Sequence, residues 1–365
     1  MAETISDRKR SHLELCQAEE VEYTGKTTLF EEVGLIHDAL PELAVDEVDI
    51  AIELLGKRLR APLLITGMTG GTEDASAINR GLAQVAEEHG IAFGLGSQRA
   101  MQRTPDLAYT FEVRRHAPTA LVLANLGLVQ AAAQSTDALE RLARAVGADA
   151  VCLHLNPAQE LIQPGGDRDF RHGLETLVRL VRELPLPVVV KETGCGISRG
   201  VGERLVAAGI RRVDVSGAGG TSWIKVETLR AGAPERELGA LFGDWGIPTA
   251  AALAGLRGLG LELIASGGIR SGLDVAKAIA LGAHAAGVAL PVFRAYRTGG
   301  VAAAGEFIER LIAGLKTAMV LTGSRHLDAL RRAPVVLGSR LREWVNAGGG
   351  GARVVHGSRR STGCR

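Results

Sequence analysis

Eight short runs of apolar residues recur along the chain, each breaking off into glycine and polar side chains. They are PLLITGM (62–68), IAFGLGS (91–97), ALVLANLG (120–127), AVCLHLN (150–156), PVVVKET (187–193), RVDVSGAG (212–219), LELIASGG (261–268) and AAGVALP (285–291). Runs that are apolar throughout, rather than alternating, fit strands buried on both faces of a parallel sheet. Helical stretches separate most of them, among them NRGLAQVAEEHG (79–90), TDALERLARAVG (136–147), GERLVAAG (202–209) and LDVAKAIALGA (273–283). Eight strand–helix units predict an α/β fold, a closed (β/α)8 TIM barrel with N-terminal and C-terminal extensions. The expected division is an N-terminal extension over 1–58, the barrel with its C-terminal helices over 59–345, and a disordered tail over 346–365. In such barrels chemistry sits where strands end, so the polar tails of the runs become the candidates.

Composition narrows the classes of function. Lys+Arg 42 against Asp+Glu 41 gives a formal charge of +1, which argues against a surface that tracks nucleic acid or an anionic membrane. Cys16, Cys152, Cys195 and Cys364 are too few and too scattered for a disulfide framework or a structural zinc site, and a reducing compartment is expected. No apolar stretch reaches the length of a membrane helix, and MAETISDRKRSHLELC lacks the apolar core of a signal peptide, so the expectation is a cytoplasmic, soluble protein. The final stretch, NAGGGGARVVHGSRRSTGCR, buries too little to offset its ordering entropy.

Several familiar motifs fail. Gly25-Lys26-Thr27 imitates the end of a phosphate-binding P-loop, but Glu20 stands where that motif needs glycine. No G-x-G-x-x-G follows a strand and no H-E-x-x-H is present.

The run ends are richer. Ser266-Gly267-Gly268-Ile269-Arg270-Ser271-Gly272 follows the seventh run and opens a helix, where close backbone approach and the helix N-terminus favour a phosphate over a plain tight turn. Asp214 to Ser222 combines three glycines with three hydroxyls, more than an ordinary turn requires. Lys191 ends the fifth run as a cation whose desolvation calls for an anionic partner; the adjacent Glu192 points to the opposite face of a strand and is a poor candidate. His154, Asn156, Gln159 and Glu160 cluster past the fourth strand, and Glu160 could hold Mg²⁺ beside substrate phosphates. Asn125, Ser97-Gln98-Arg99 and Thr66 to Gly71 add polar groups at other strand ends. Arg8-Lys9-Arg10 with His12 reads either as a solvated surface or as an arm bringing positive charge to an anionic substrate.

Taken in order, RK..H (8–12), ITGMTGG (65–71), GLGSQR (94–99), NLGLVQ (125–130), HLNPAQE (154–160), VKETGCGIS (190–198), DVSGAGGTSW (214–223) and ASGGIRSG (265–272) closely resemble the FMN-dependent, type 2 isopentenyl-diphosphate isomerases, from about residue 8 to 345. The resemblance implies interconversion of isopentenyl and dimethylallyl diphosphate with no net redox change. Reduced FMN would be an acid/base cofactor, Mg²⁺ would bind the diphosphate, and NADPH would only prime the flavin. It further implies that Arg8, Lys9, His12, Ser97, Arg99, Asn156 and Gln159 bind substrate, that His154 and Gln159 serve catalysis, and that Glu160 holds the metal. Flavin contacts would come from Thr66, Gly67, Met68, Thr69, Ser97, Asn125, Lys191, Ser216 and Thr221. The FMN phosphate would be held by Gly267, Gly268, Arg270, Ala289 and Leu290. The partners implied are a small diphosphate substrate and further copies of the chain, as a tetramer or octamer. Ala158 departs from the leucine often found in the family. The competing reading is an FMN oxidoreductase of the 2-hydroxy-acid oxidase type, which resembles its relatives in carrying a histidine base and an arginine in the sixth-strand loop. Here that loop reads SGAGGTSW.

Overall fold

The computed structural model describes residues 5–348. Each of the eight apolar runs supplies one strand: Leu63–Ile65, Ala92–Gly94, Val122–Gly127, Ala150–His154, Val188–Lys191, Arg212–Asp214, Glu262–Ala265 and Ala285–Val288. They pair in parallel and in sequence order, and the eighth closes on the first through Ala286 opposite Leu63.

Side chains alternate between two apolar environments. Val122, Ala124, Val151, Leu153, Val188 and Val190 face outward into the layer shared with the helices. Their neighbours Leu121, Leu123, Ala150, Cys152 and Val189 fill the interior together with Leu64, Ala92, Ile264 and Ala285. An antiparallel hairpin, Ile52–Leu54 with Lys57–Leu59, plugs the N-terminal end of the barrel with Leu54, Leu55 and Leu59. The division expected at residue 58 therefore cuts through a hairpin whose leucines belong to the barrel core.

Capping residues set the helix starts. Thr72 accepts from Ala75 N and starts Glu73–His89 six residues before the stretch expected to begin at 79. Ser135, Ser198 and Ser271 cap Thr136–Ala145, Arg199–Ala207 and Gly272–Ala280 in the same way, each worth about 1 kcal/mol.

Additions to the barrel surround its mouth. The N-terminal helix Ile5–Ala18 packs against Trp223–Arg230, the first of two helices inserted after the sixth strand, and against Leu290–Val320, which kinks at Gly299 and Gly300. Val335–Leu337 pairs antiparallel with Val33–Leu35, and a last helix covers Ser339–Gly348. The tail expected from 346 thus starts three residues inside that helix, and its remainder lies outside the described residues. Among the described residues no helix is long and apolar enough to cross a membrane.

Candidate active site

Strand periodicity carries the inward face from the apolar interior up to the mouth: Leu123 is followed by Asn125, Cys152 by His154, Val189 by Lys191 and Ile264 by Ser266. Asn125 Nδ2 donates to Leu95 O at 2.9 Å, so its Oδ1 is turned to accept the His154 Nδ1 proton, also at 2.9 Å. That bond leaves Nε2 of His154 as the unprotonated ring nitrogen. Burial, reinforced by Lys191, Lys9 and Arg99, pushes the imidazole down to about 3, so it is neutral at ordinary pH.

Lys191 Nζ donates to Glu192 O at 2.6 Å, and the Glu192 side chain turns away to cap its own loop, accepting from Thr193 N (2.6 Å), Gly196 N (3.2 Å) and Cys195 N. Burial pushes the Glu192 carboxyl up to about 7, against the pull of those N–H groups and of Lys191. Across the sheet from Lys191 stands Asp214, its partner in the register of the fifth and sixth strands, whose carboxyl burial pushes up against the pull of Lys191.

The N-terminal helix lays Arg8, Lys9 and His12 over the mouth, while Arg10 faces solvent. His12 Nε2 lies 2.7 Å from Glu227 Oε1, and Gln159 Nε2 donates to the same oxygen at 3.3 Å. Glu227 is fully buried on the inserted helix, where Arg230 pairs with its other oxygen. Gln163 completes the link, its amide oxygen accepting from Arg8 Nη1 (2.8 Å) and its nitrogen donating to Glu227 Oε1 (3.2 Å), the orientation those neighbours require. Glu160 Oε1 accepts from Asn156 Nδ2 (3.0 Å) and Oε2 from Asp167 N (2.8 Å), with Arg99 Nη1 3.8 Å away. Arg8 Nε and Arg99 Nε are buried without hydrogen-bond partners among the described residues.

Two adjoining cavities result, sharing His12, Gly67, Met68, Lys191, Thr193 and Trp223. One is basic and polar and holds Arg8, Lys9, Ser97, Arg99, Asn125, His154, Asn156, Gln159 and Glu160. The other is lined by Thr66, Thr69, Ser216, Thr221, Gly267, Gly268, Arg270, Ala289 and Leu290. Every residue to which the resemblance gives a role lines one or both, whereas Arg10, Gly70, Gly71, Gln98, Asp214, Ser271 and Gly272 line neither; Arg270 also pairs with Glu22 of the N-terminal arm. The opposite face of helix Pro157–Ile162 borders a larger apolar groove, about 1140 Å³, from which the basic residues are absent except Arg168 and Lys26.

The second cavity fits a planar ligand with a phosphate tail. Thr69 Oγ1 is buried there with no protein partner among the described residues. A Cβ on Gly67 would lie 2.0 Å from Leu95 O, and one on Gly267, at φ +95°, 2.1 Å from Gly217 O, so glycine is what keeps these walls in place. In the first cavity, two half-unsatisfied guanidinium groups and a lysine suit a diphosphate. Among the described residues no cluster of three His, Cys, Asp or Glu could hold a metal alone. A divalent ion at Glu160 would therefore need phosphate oxygens and water, as Mg²⁺ commonly has.

Glu227, Gln163 and Asp167 are the site residues the sequence reading passed over. Glu227 carried a signal: it lies three and four residues after Ile224 and Trp223, on the helix face that packs inward.

Residues 164–337 match the FMN-dependent dehydrogenase family model. The isopentenyl-diphosphate delta-isomerase of Methanothermobacter thermautotrophicus is 45% identical over 347 residues, covering 94% of this chain and 97% of that protein. That of Aeropyrum pernix is 46% identical over 356 residues, covering 96% and 94%. The chain belongs to the FMN-dependent, type 2 isopentenyl-diphosphate delta-isomerase family. Among solved structures, mandelate oxidase with (S)-2-phenylpropionate superposes with a TM-score of 0.60 at 21% identity, covering 93% of this chain and 99% of that one. At that identity the likeness establishes the shared barrel and nothing of the oxidase chemistry. In this chain the helix of Arg8 and Lys9 covers the mouth of a barrel whose fold mandelate oxidase shares.

Proposed function

We propose that this protein interconverts isopentenyl diphosphate and dimethylallyl diphosphate, with reduced FMN in the glycine-walled cavity, Mg²⁺ at Glu160, and NADPH serving only to reduce the flavin. The observation that carries this reading is the joining of a basic diphosphate-sized cavity to the FMN-type cavity over Met68, Lys191 and Trp223. The 2-hydroxy-acid oxidase alternative is not favoured, because the sixth-strand loop, Ser216 to Trp223, carries neither histidine nor arginine.

Moving the double bond requires a proton delivered to the terminal carbon of the double bond and another removed from the methylene on the far side of the branched carbon between them. FMN, when bound, supplies a ring surface able to carry such a proton. Arg8, Lys9, His12, Ser97, Arg99 and Asn156 hold the diphosphate, and Glu160 holds its metal. Gln159, kept in place by Glu227, faces the reacting carbons; His154, neutral and fixed through Asn125, lies beside it in the catalytic assignment. Thr66, Gly67, Met68, Thr69, Asn125, Ser216 and Thr221 would frame a bound flavin ring, and Lys191 would supply a cation to its polar edge. Gly267, Gly268, Arg270, Ala289 and Leu290 hold the phosphate. The protein works in the cytoplasm as a tetramer or octamer.

An anaerobic isomerisation assay with photoreduced FMN and Mg²⁺ tests the proposal. Many product molecules per reduced flavin are expected without any NADPH. Product limited to one per reduced flavin, with the flavin reoxidised, would replace the isomerase reading with an oxidoreductase.

A further inference from the structure

The metal ligand proposed above has a cation for a neighbour. Glu160 is the only carboxylate among the described residues that lines the basic cavity, and Arg99 Nη1 stands 3.8 Å from its Oε1. An arginine that close competes with a divalent ion for the same oxygen, since the carboxylate charge draws both. Binding a metal there requires that the guanidinium be held off.

Asp167 is placed to do so. Its Oδ2 lies 3.3 Å from the same Arg99 Nη1, nearer than Glu160, and also accepts from Gln130 Nε2 at 2.5 Å. Asp167 itself lines neither cavity, whereas Arg99, Gln130 and Glu160 all line the basic one. The turn that carries it is built against Glu160. After helix Pro157–Ile162 the chain reverses through Gly165, at φ +66°, and Gly166, whose N donates to Gln163 O at 2.9 Å. A Cβ on Gly166 would lie 2.1 Å from Glu160 O, so glycine lets the turn come down on the helix and bring Asp167 N to 2.8 Å from Glu160 Oε2. With the Asn156 amide on Oε1 at 3.0 Å, the Glu160 carboxylate is fixed by one donor on each oxygen, and each oxygen can accept one partner more.

We propose that Asp167 is a positioning residue that acts through Arg99: by holding the guanidinium beside its own carboxylate, it keeps Glu160 open to a divalent cation that arrives with the diphosphate. This rests on the placement of Mg²⁺ at Glu160 given above and deepens it. The held guanidinium still lines the cavity, and its Nε, buried without a hydrogen-bond partner among the described residues, is left for a phosphate oxygen. Without the Asp167 charge, Arg99 closes on Glu160 and occupies the oxygen the metal needs.

Calorimetric titration with inorganic diphosphate, once with Mg²⁺ and once with EDTA, reads the contribution of the metal as the ratio of two dissociation constants and needs no turnover. Asp167→Asn keeps the backbone N–H on Glu160 and removes only the charge, and it should lower that ratio at least tenfold. Asp167→Glu, which restores the charge, should stay within threefold of wild type. In the Arg99→Met background, where the competing guanidinium is gone, Asp167→Asn should change the ratio by less than threefold. If Asp167→Asn does not fold, Asp167→Ser should give the same loss. Equal weakening of both dissociation constants, with the ratio unchanged, would reduce Asp167 to a structural role. The same loss of ratio with and without Arg99 would make Asp167 a metal ligand in its own right and overturn action through the arginine. A ratio unaffected by Glu160→Gln would instead refute the placement of Mg²⁺ at Glu160, and the proposal with it.

Discussion

Lys9 should make diphosphate affinity fall as the medium turns alkaline. Its ammonium lies in the basic cavity with Arg8 and Arg99, and burial, aided first by Arg8, pushes it from its ordinary 10.5 down to about 8 despite the attraction of Glu227. A bound diphosphate supplies the missing negative charge and pulls the ammonium back toward its ordinary range. Above pH 8 the complex therefore holds a proton that the free protein has released, so affinity must decline with rising pH, by up to tenfold per unit. The full effect is bounded at about 3 kcal/mol, roughly two orders of magnitude, and falls short of that because Lys9 keeps some contact with solvent. Calorimetric titration with inorganic diphosphate and Mg²⁺ between pH 6.5 and 9.5, in buffers of different ionisation heat, measures both the slope and the proton taken up. Lys9→Met is the control, since ionisation of diphosphate itself affects both proteins alike. The wild type should lose affinity more steeply than the variant above pH 8 and take up close to one additional proton. Identical slopes in the two proteins would refute the reasoning, as would the absence of excess proton uptake.

Three further outcomes are expected. Glu160→Gln should raise the Mg²⁺ concentration needed for half-maximal activity at least tenfold while FMN content stays unchanged; loss of flavin would show that the residue is misplaced. Gln159→Ala should lower kcat by two orders of magnitude or more with little change in flavin absorbance, because its amide faces the basic cavity and not the glycine-walled one. Gly267→Ala forces a Cβ to within 2.1 Å of Gly217 O at a positive φ, so FMN affinity should drop at least tenfold and Tm should fall by several degrees. Retention of full flavin content by that variant would argue against the loop as the phosphate cup.

The strands were legible because a barrel wall is apolar on both faces, and runs such as Val188-Val189-Val190 leave no other economical interpretation. The same property hid the direction of each side chain: Val189 packs inside and Val190 outside, yet the two are identical in sequence. Contrast returns only in the top layer, where parity places Asn125, His154 and Lys191 inward, and that is why the strand-end candidates could be found at all. What stayed hidden came from segments distant in sequence. His12 and Glu227 meet across 215 residues, and nothing local to either predicts the contact. Asp214 shows the opposite difficulty. It was visible as a charge inside an apolar run, but a run end crowded with glycine and hydroxyl groups invites a ligand-contact reading. Only the register opposite Lys191, with one carboxyl oxygen bonded and the other bare, reveals a buried acid set beneath the site. An acid buried under the mouth is thus a property of the closed barrel, since parity makes it face inward and closure removes the water that would otherwise solvate it.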